Sequence, residues 1–290
     1  MLDSDLSWDL LRRPAVALVI AAVTVVGLLS AISIDRAHAV VHKPIRWLFN
    51  GPGVAAIAAD AVVTHLLDNA QPFIMMGRRV DVIPPGWRAA PFASFTNFGA
   101  IKNALELGRL GPQVNGIMYD YEKWRFTPEE EQRNPAGYVK QAADIVHAHR
   151  LLFLTAPAVN LAAVMAPEGR NQRYDTYLRL GIAADAARYA DVFDIQAQGS
   201  ESNTGVYAKF VRQAAAQARR ANPRVVLAGI STQPSGQQVT VDDILRAIAA
   251  TRDFVDGYWF NIPQPSEYCP GCTDFRPDIA IGVLRRVAGR

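Results

Sequence analysis

A chain of 290 residues in which 50% of the side chains are hydrophobic carries enough apolar material to bury a sizeable core. Its formal net charge of +3 is mild, and the arginines are scattered rather than gathered into a stripe, so no nucleic-acid partner is expected. Two cysteines and five histidines without ligand spacing argue against a metal centre; His147 and His149 stand two apart on an expected helix, hence on different faces.

The first segment is a targeting signal. Arg12 and Arg13 lead into an uncharged apolar run, residues 14–34, and Ala37-His38-Ala39 follows with small-x-small cleavage spacing. That is the layout of a secretory signal peptide. The run also has the roughly 20 residues that span a bilayer, so an uncleaved membrane anchor is the alternative. Residues 1–39 are therefore read as signal or anchor and residues 40–290 as the functional domain, secreted or anchored outside the cytoplasm. Any membrane contact is expected only through the uncleaved segment, and a monomer is expected.

Beyond it, short apolar runs alternate with amphipathic stretches. Strands are expected at Arg46–Asn50, Phe73–Gly77, Phe92–Thr96, Gly116–Glu122, Leu151–Ala156, Val192–Gln198, Val225–Ser231 and Gly257–Ile262. Helices are expected at Val54–Asn69, Ala100–Leu110, Pro135–Arg150, Tyr174–Ala190, Thr204–Ala221, Val241–Arg252 and Asp278–Val287. Asn134 precedes Pro135 as an N-cap followed by proline at the first helical position. Eight strands alternating with helices over about 250 residues predict a single (β/α)₈ TIM barrel. No Gly-x-Gly-x-x-Gly follows the first strand, where Gly51-Pro52-Gly53 reads as a turn and helix start, so no nucleotide cofactor is expected, nor any other. In the last loop Cys269-Pro270-Gly271-Cys272 is expected to form a local disulfide in an oxidising compartment.

The chemistry concentrates at Asn115-Gly116-Ile117-Met118-Tyr119-Asp120-Tyr121-Glu122. Side chains alternate along a strand, so Asp120 and Glu122 share a face about 6–7 Å apart while Tyr119 and Tyr121 take the other. Two carboxylates at that spacing perturb each other, as a glycosidase acid requires, and barrels build their sites at the C-terminal strand ends. Asn50, Gln196, Gln198, Asn261 and Trp259 end other strands, with Asp194 lying deeper, and Tyr119 is added as a binding candidate. Amides bond sugar hydroxyls and an indole stacks on a pyranose face. For any one of these amides, satisfying loop backbone is an equally good reading.

The fourth-strand segment resembles the Asp-Gly-x-Asp-x-Asp-x-Glu signature of the family 18 glycoside hydrolases, the chitinase-like barrels. Gly116, Asp120 and Glu122 match; Asn115 and Met118 stand where the family has aspartates. The resemblance implies Glu122 as the acid that protonates the glycosidic oxygen. It implies Asp120 as the group that orients a substrate N-acetyl, which itself attacks the anomeric carbon. Gln198 falls where the family places a tyrosine, and Trp259 looks like its floor tryptophan. The Asp-x-Glu strand end is also similar to the family 25 lysozymes. The expected partner is accordingly an N-acetylated polysaccharide, chitin-like or peptidoglycan. A non-catalytic glycan-binding barrel is the alternative that Asn115 and Met118 favour. A glycosidase using carboxylates from two different strands is a third, disfavoured because no glutamate ends another strand.

Overall fold

The computed structural model describes residues 44–76, 83–221, 225–234 and 237–289. The segment expected to be a signal or anchor lies outside the described residues. Among those described, no helix is long and apolar enough to cross a membrane.

The chain opens with β1 (Arg46–Asn50), α1 (Gly51–Ile57), α2 (Ala61–Ala70), β2 (Phe73–Met76), β3 (Ala90–Phe95) and α3 (Phe98–Glu106). It continues with β4 (Gly116–Tyr121), α4 (Glu129–Arg133), α5 (Pro135–Ala148), β5 (Leu152–Pro157), α6 (Ala162–Met165), α7 (Arg173–Arg179) and α8 (Ile182–Ala187). It ends with β6 (Val192–Ile195), α9 (Thr204–Ala221), β7 (Val225–Ser231), α10 (Val241–Thr251), β8 (Gly257–Asn261) and α11 (Pro277–Val287). The eight strands form a closed barrel in sequence order, and β8 closes on β1 with Leu48 opposite Trp259. This is the expected (β/α)₈ barrel.

Two expected helices are each two in the structure, for local reasons. Asp60 accepts hydrogen bonds from the N–H groups of Val62 and Val63 at 3.1 Å. That cap starts α2 afresh and divides the expected Val54–Asn69 helix. Gly181, at φ +70°, takes the left-handed conformation that glycine tolerates best and separates α7 from α8. Asn134 behaves as its sequence position implies, accepting from the N–H of Gly137 ahead of Pro135. The sixth strand is shorter than expected: the N–H of Ala197 turns back onto the carbonyl of Ile195 at 2.7 Å, so Gln196 and Gln198 lie beyond β6.

Period-two alternation sorts the side chains into two apolar clusters. Leu48, Phe92, Met118, Leu154, Leu227 and Trp259 fill the barrel interior, while Phe49, Tyr119, Tyr121, Phe153, Phe193 and Tyr258 face the helices. Each fully buried side chain of this size contributes on the order of 1.5–3 kcal/mol relative to exposure. The seam where the barrel closes tolerates no extra atom. A Cβ on Gly257 would lie 1.8 Å from the carbonyl oxygen of Arg46, a backbone atom with nowhere to go. Gly257→Ala is therefore expected to cost about 3 kcal/mol or more, the upper end of overpacking penalties, read as a shift in denaturant midpoint. Gly205→Ala, where the new carbon would meet its nearest neighbour at an ordinary 3.7 Å, should be neutral or slightly stabilising. Equal effects at the two positions would contradict this account of the seam.

Candidate active site

The inward face of β4 runs from apolar to acidic. Met118 is fully buried in the interior cluster, and Asp120, one pleat higher, is 8% exposed. The amide nitrogen of Gln196 donates to Asp120 Oδ1 at 2.6 Å and to the carbonyl of Ala156 at 2.8 Å, so both its hydrogens are committed. Glu122 sits one residue past the strand, half-buried, and accepts from Asn160 Nδ2 at 3.3 Å. Burial holds the Asp120 carboxyl well above the usual carboxylate range, reinforced by the charges of Glu122 and Asp194 and opposed by the Gln196 hydrogen bond. Burial also raises Glu122, against the bond from Asn160. The two carboxyls retain protons at a pH where exposed ones would be ionised.

A short, fastened loop holds Glu122 in place. The Thr127 hydroxyl accepts from the Trp124 indole N–H at 2.8 Å and from the Glu122 backbone N–H at 3.2 Å, and donates to the carbonyl of Thr96 at 2.7 Å. Gln132 donates to the carbonyls of Trp124 and Thr127 at 2.9 and 2.7 Å. Asn160 adds a tie to the next residue, accepting from the N–H of Lys123 at 2.8 Å. These partners come from different elements, and no local sequence pattern announces them.

The other expected site residues divide. Gln196 joins Asp120 directly. Gln198 reaches the interior by folding over Gly229, whose missing side chain makes the space: a Cβ there would lie 2.3 Å from the Gln198 amide carbon. Asn261 is half-buried at the end of β8, beside Ser231 in the register. Trp259 lies in the interior cluster with its indole N–H buried and unpaired among the described residues; it is a floor side chain rather than an open platform. Asn50 is spent on backbone: its amide donates to the Ile262 carbonyl at 3.0 Å and accepts from the Ile262 N–H at 3.3 Å. Tyr119 is not part of this mouth. Strand alternation turns it outward, where it is fully buried, stacks on Tyr121 at 4.3 Å and donates to the carboxylate of Glu131.

Sequence reasoning missed the feature that crosses the mouth. β4 and β8 stand opposite each other in a ring of eight, yet the loop after β8, residues 263–276, reaches the loop after β4. Tyr268 packs on Phe126 at 4.7 Å and Trp124 at 6.0 Å, and Glu267 pairs with Arg125 at 2.7 Å. The exposed ion pair itself is worth little. The Cys269–Cys272 disulfide is present in this strap, and Gln233 fixes its far end through Thr273 and the N–H of Asp274, at 3.1 and 3.2 Å. Aromatic residues crowded around Trp124 were visible in the sequence; their meeting with Tyr268 was not, because it depends on two loops 140 residues apart crossing one opening.

Glu201 was missed as well. It is fully buried in the loop after β6 and accepts from the N–H groups of Gly199 and Ser231 at 2.7 and 2.9 Å, which makes it a clamp between β6 and β7. Among the described residues no group of three or more His, Cys, Asp or Glu side chains is arranged to hold a metal ion.

The sequence matches no protein-family model and no curated protein. Several solved structures align with it at low similarity. A GH128 (subgroup I) endo-β-1,3-glucanase from Amycolatopsis mediterranei, solved with laminaritriose, aligns at 16% identity over 86% of this chain and 99% of its own, with TM-score 0.46. A class V chitinase from Pseudomonas fluorescens Pf-5 aligns at 16% identity over 71% and 75%, with TM-score 0.41. A pyruvate carboxylase from Rhizobium etli aligns at 11% identity over 85% of this chain and 27% of its own, with TM-score 0.47. These alignments reach glycoside hydrolases and a carboxylase alike, and none bears on what this chain does.

Glu201 generates a pH prediction. Burial pushes its carboxyl up to about 7, against the backbone N–H groups that it accepts from. A raised acid stabilises the fold below its unfolded value, near 4.5, and that contribution is lost as pH rises through about 7. Asp60, Asp243 and Asp278 are shifted the other way, below 3.8, so their contributions change outside this interval. Thermal midpoints are expected to fall from pH 4.5 to 7.5, and to fall less steeply in Glu201→Gln. A parent midpoint that climbs across the interval would refute the assignment.

Proposed function

We propose that the chain is an extracytoplasmic glycoside hydrolase acting on an N-acetylated polysaccharide, chitin-like or peptidoglycan. The observation that carries the reading is the pair at the end of β4: Asp120 inside the mouth, Glu122 at its lip, both weakened as acids, with pKa raised by burial. A proton donor working near neutral pH needs that environment. Glu122 is the outer group, held by Asn160 and a fastened loop, and its role is to protonate the glycosidic oxygen. Asp120 lies deeper and is oriented by Gln196; its role is to hold the substrate's N-acetyl group as that group attacks the anomeric carbon. Glu122, now a carboxylate, then takes a proton from the water that opens the cyclic intermediate. The apolar run at residues 14–34 supports delivery across a membrane; it leaves open whether the segment is removed.

A second reading has its own support in Met118. That fully buried methionine fills the position where the family 18 signature has a carboxylate, which favours a barrel that binds glycan without cutting it.

Hydrolysis and binding measured together separate the two. For the enzyme, Glu122→Gln keeps the shape and removes the transferable proton, so kcat should fall by about 10²–10⁴-fold with KM little changed. Asp120→Asn should also lower kcat, and the deacetylated glycan should be inert even with the parent. For the binding barrel, the parent shows no turnover and Tyr268→Ala weakens glycan affinity. Hydrolysis undiminished in Glu122→Gln would remove the catalytic assignment.

A further inference from the structure

The least comfortable side chain in the barrel is Asp194. It projects inward from β6, is 0% exposed, and neither of its oxygens has a hydrogen-bond partner among the described residues. A bare carboxylate enclosed in this way is untenable, because an unpaired buried charge costs far more than a neutral acid. As a neutral acid it has an O–H to donate. Buried polar groups left unpaired in a folded protein call for an explanation.

The register supplies the partner. Leu154 of β5 pairs with Val192 of β6, and Ala158 bridges to Gln196, which sets Ala156 level with Asp194. On its other side Ala156 pairs with Asp120 of β4. Three neighbouring strands therefore present a carboxyl, a methyl and a carboxyl at one level of the interior, with only the Ala156 side chain on the strand between. Gln196 takes up Asp120 Oδ1. The remaining ionisable groups around Asp194 are Glu122 beyond Asp120, Glu201 in the following loop, and the phenols Tyr177 on α7 and Tyr207 on α9. Both phenols are held neutral by burial, with Asp194's charge a lesser contributor. Asp194 itself is raised by burial, and no cation offsets it.

We infer that Asp194 is a positioning residue that forms an acid pair with Asp120, the two carboxyls holding one proton between them. The pairing is inferred from the strand register and from the want of another partner for Asp194 among the described residues; its use in catalysis rests on the glycoside hydrolase reading above. The shared proton is not consumed in turnover, since Glu122 gives one proton to the leaving oxygen and regains one from water. Its effect is to keep the pair at a single negative charge, so that Asp120 can face the substrate's N-acetyl group without two anions meeting in a closed interior. Such a pair loses its protons in two steps that belong to both members.

The test follows Asp120 by carbon-13 NMR of carboxyl-labelled aspartate, in a Glu122→Gln background that removes the other coupled acid. The expected result is a two-step titration of Asp120, with steps separated by more than about one pH unit. It should collapse to a single step in Glu122→Gln/Asp194→Asn. Asp194→Leu serves as a second variant of similar bulk and should give the same single step. In otherwise unmodified protein with turnover, Asp194→Asn should also shift a limb of the pH–kcat profile, which a packing role alone would leave in place. An Asp120 titration identical with and without Asp194 would overturn the inference. Because the NMR experiment needs no substrate, that outcome is distinct from a failure to find hydrolysis, which would instead count against the enzymatic reading.

Discussion

The interior of a closed parallel barrel admits side chains from alternate residues only, and that constraint governs everything at the mouth of this protein. Below the rim the space is filled by Leu48, Phe92, Leu154, Leu227 and Trp259, so a carboxyl on the same face meets hydrocarbon rather than water. The acids of β4 and β6 are unusual because of where the pleat delivers them, and no cation accompanies them to restore ordinary ionisation. Each local arrangement around them answers that desolvation. Gln196 spends its amide hydrogens on Asp120 and Ala156, Asn160 reaches Glu122, and Glu201 receives backbone N–H groups.

The same constraint makes the outer face of β4 a structural element. Tyr119 and Tyr121 stack between sheet and helices, and the Tyr119 hydroxyl meets Glu131, which also accepts from the N–H of Phe98 at 2.9 Å. The start of α3 is thereby tied to the strand that carries the acids. A residue on one face positions the backbone, and its neighbour on the other carries a carboxyl into the interior.

How far the sequence could be read follows from the range of the forces involved. The eight strands were legible because buried parallel strands are short apolar runs, and α9 because it presents one long amphipathic face. Asp120 and Gln196 were legible as neighbours at one mouth because both were read at strand ends, although Gln196 lies just past β6. The break at Gly181 was less visible, because a single glycine inside an apolar helical pattern signals nothing until its φ is known. Tyr119 was misplaced by treating a whole motif as one surface when its alternation already assigned that ring outward. Asn50 carries the same amide as Gln196, yet the backbone of Ile262 happens to lie within reach of it and uses it fully. Thr127, Gln233 and Glu201 hold loops through partners 30 or more residues away in sequence, and nothing in a local window marks them.

The strap between the loops of β8 and β4 bears on the mouth as a whole. A barrel mouth is ordinarily a bowl, reached from above by an object of any length. Here loops from opposite strands of the rim meet, which ties its two sides together. Because Tyr268 rests on Phe126, a displacement of either loop loses the ring contact of both.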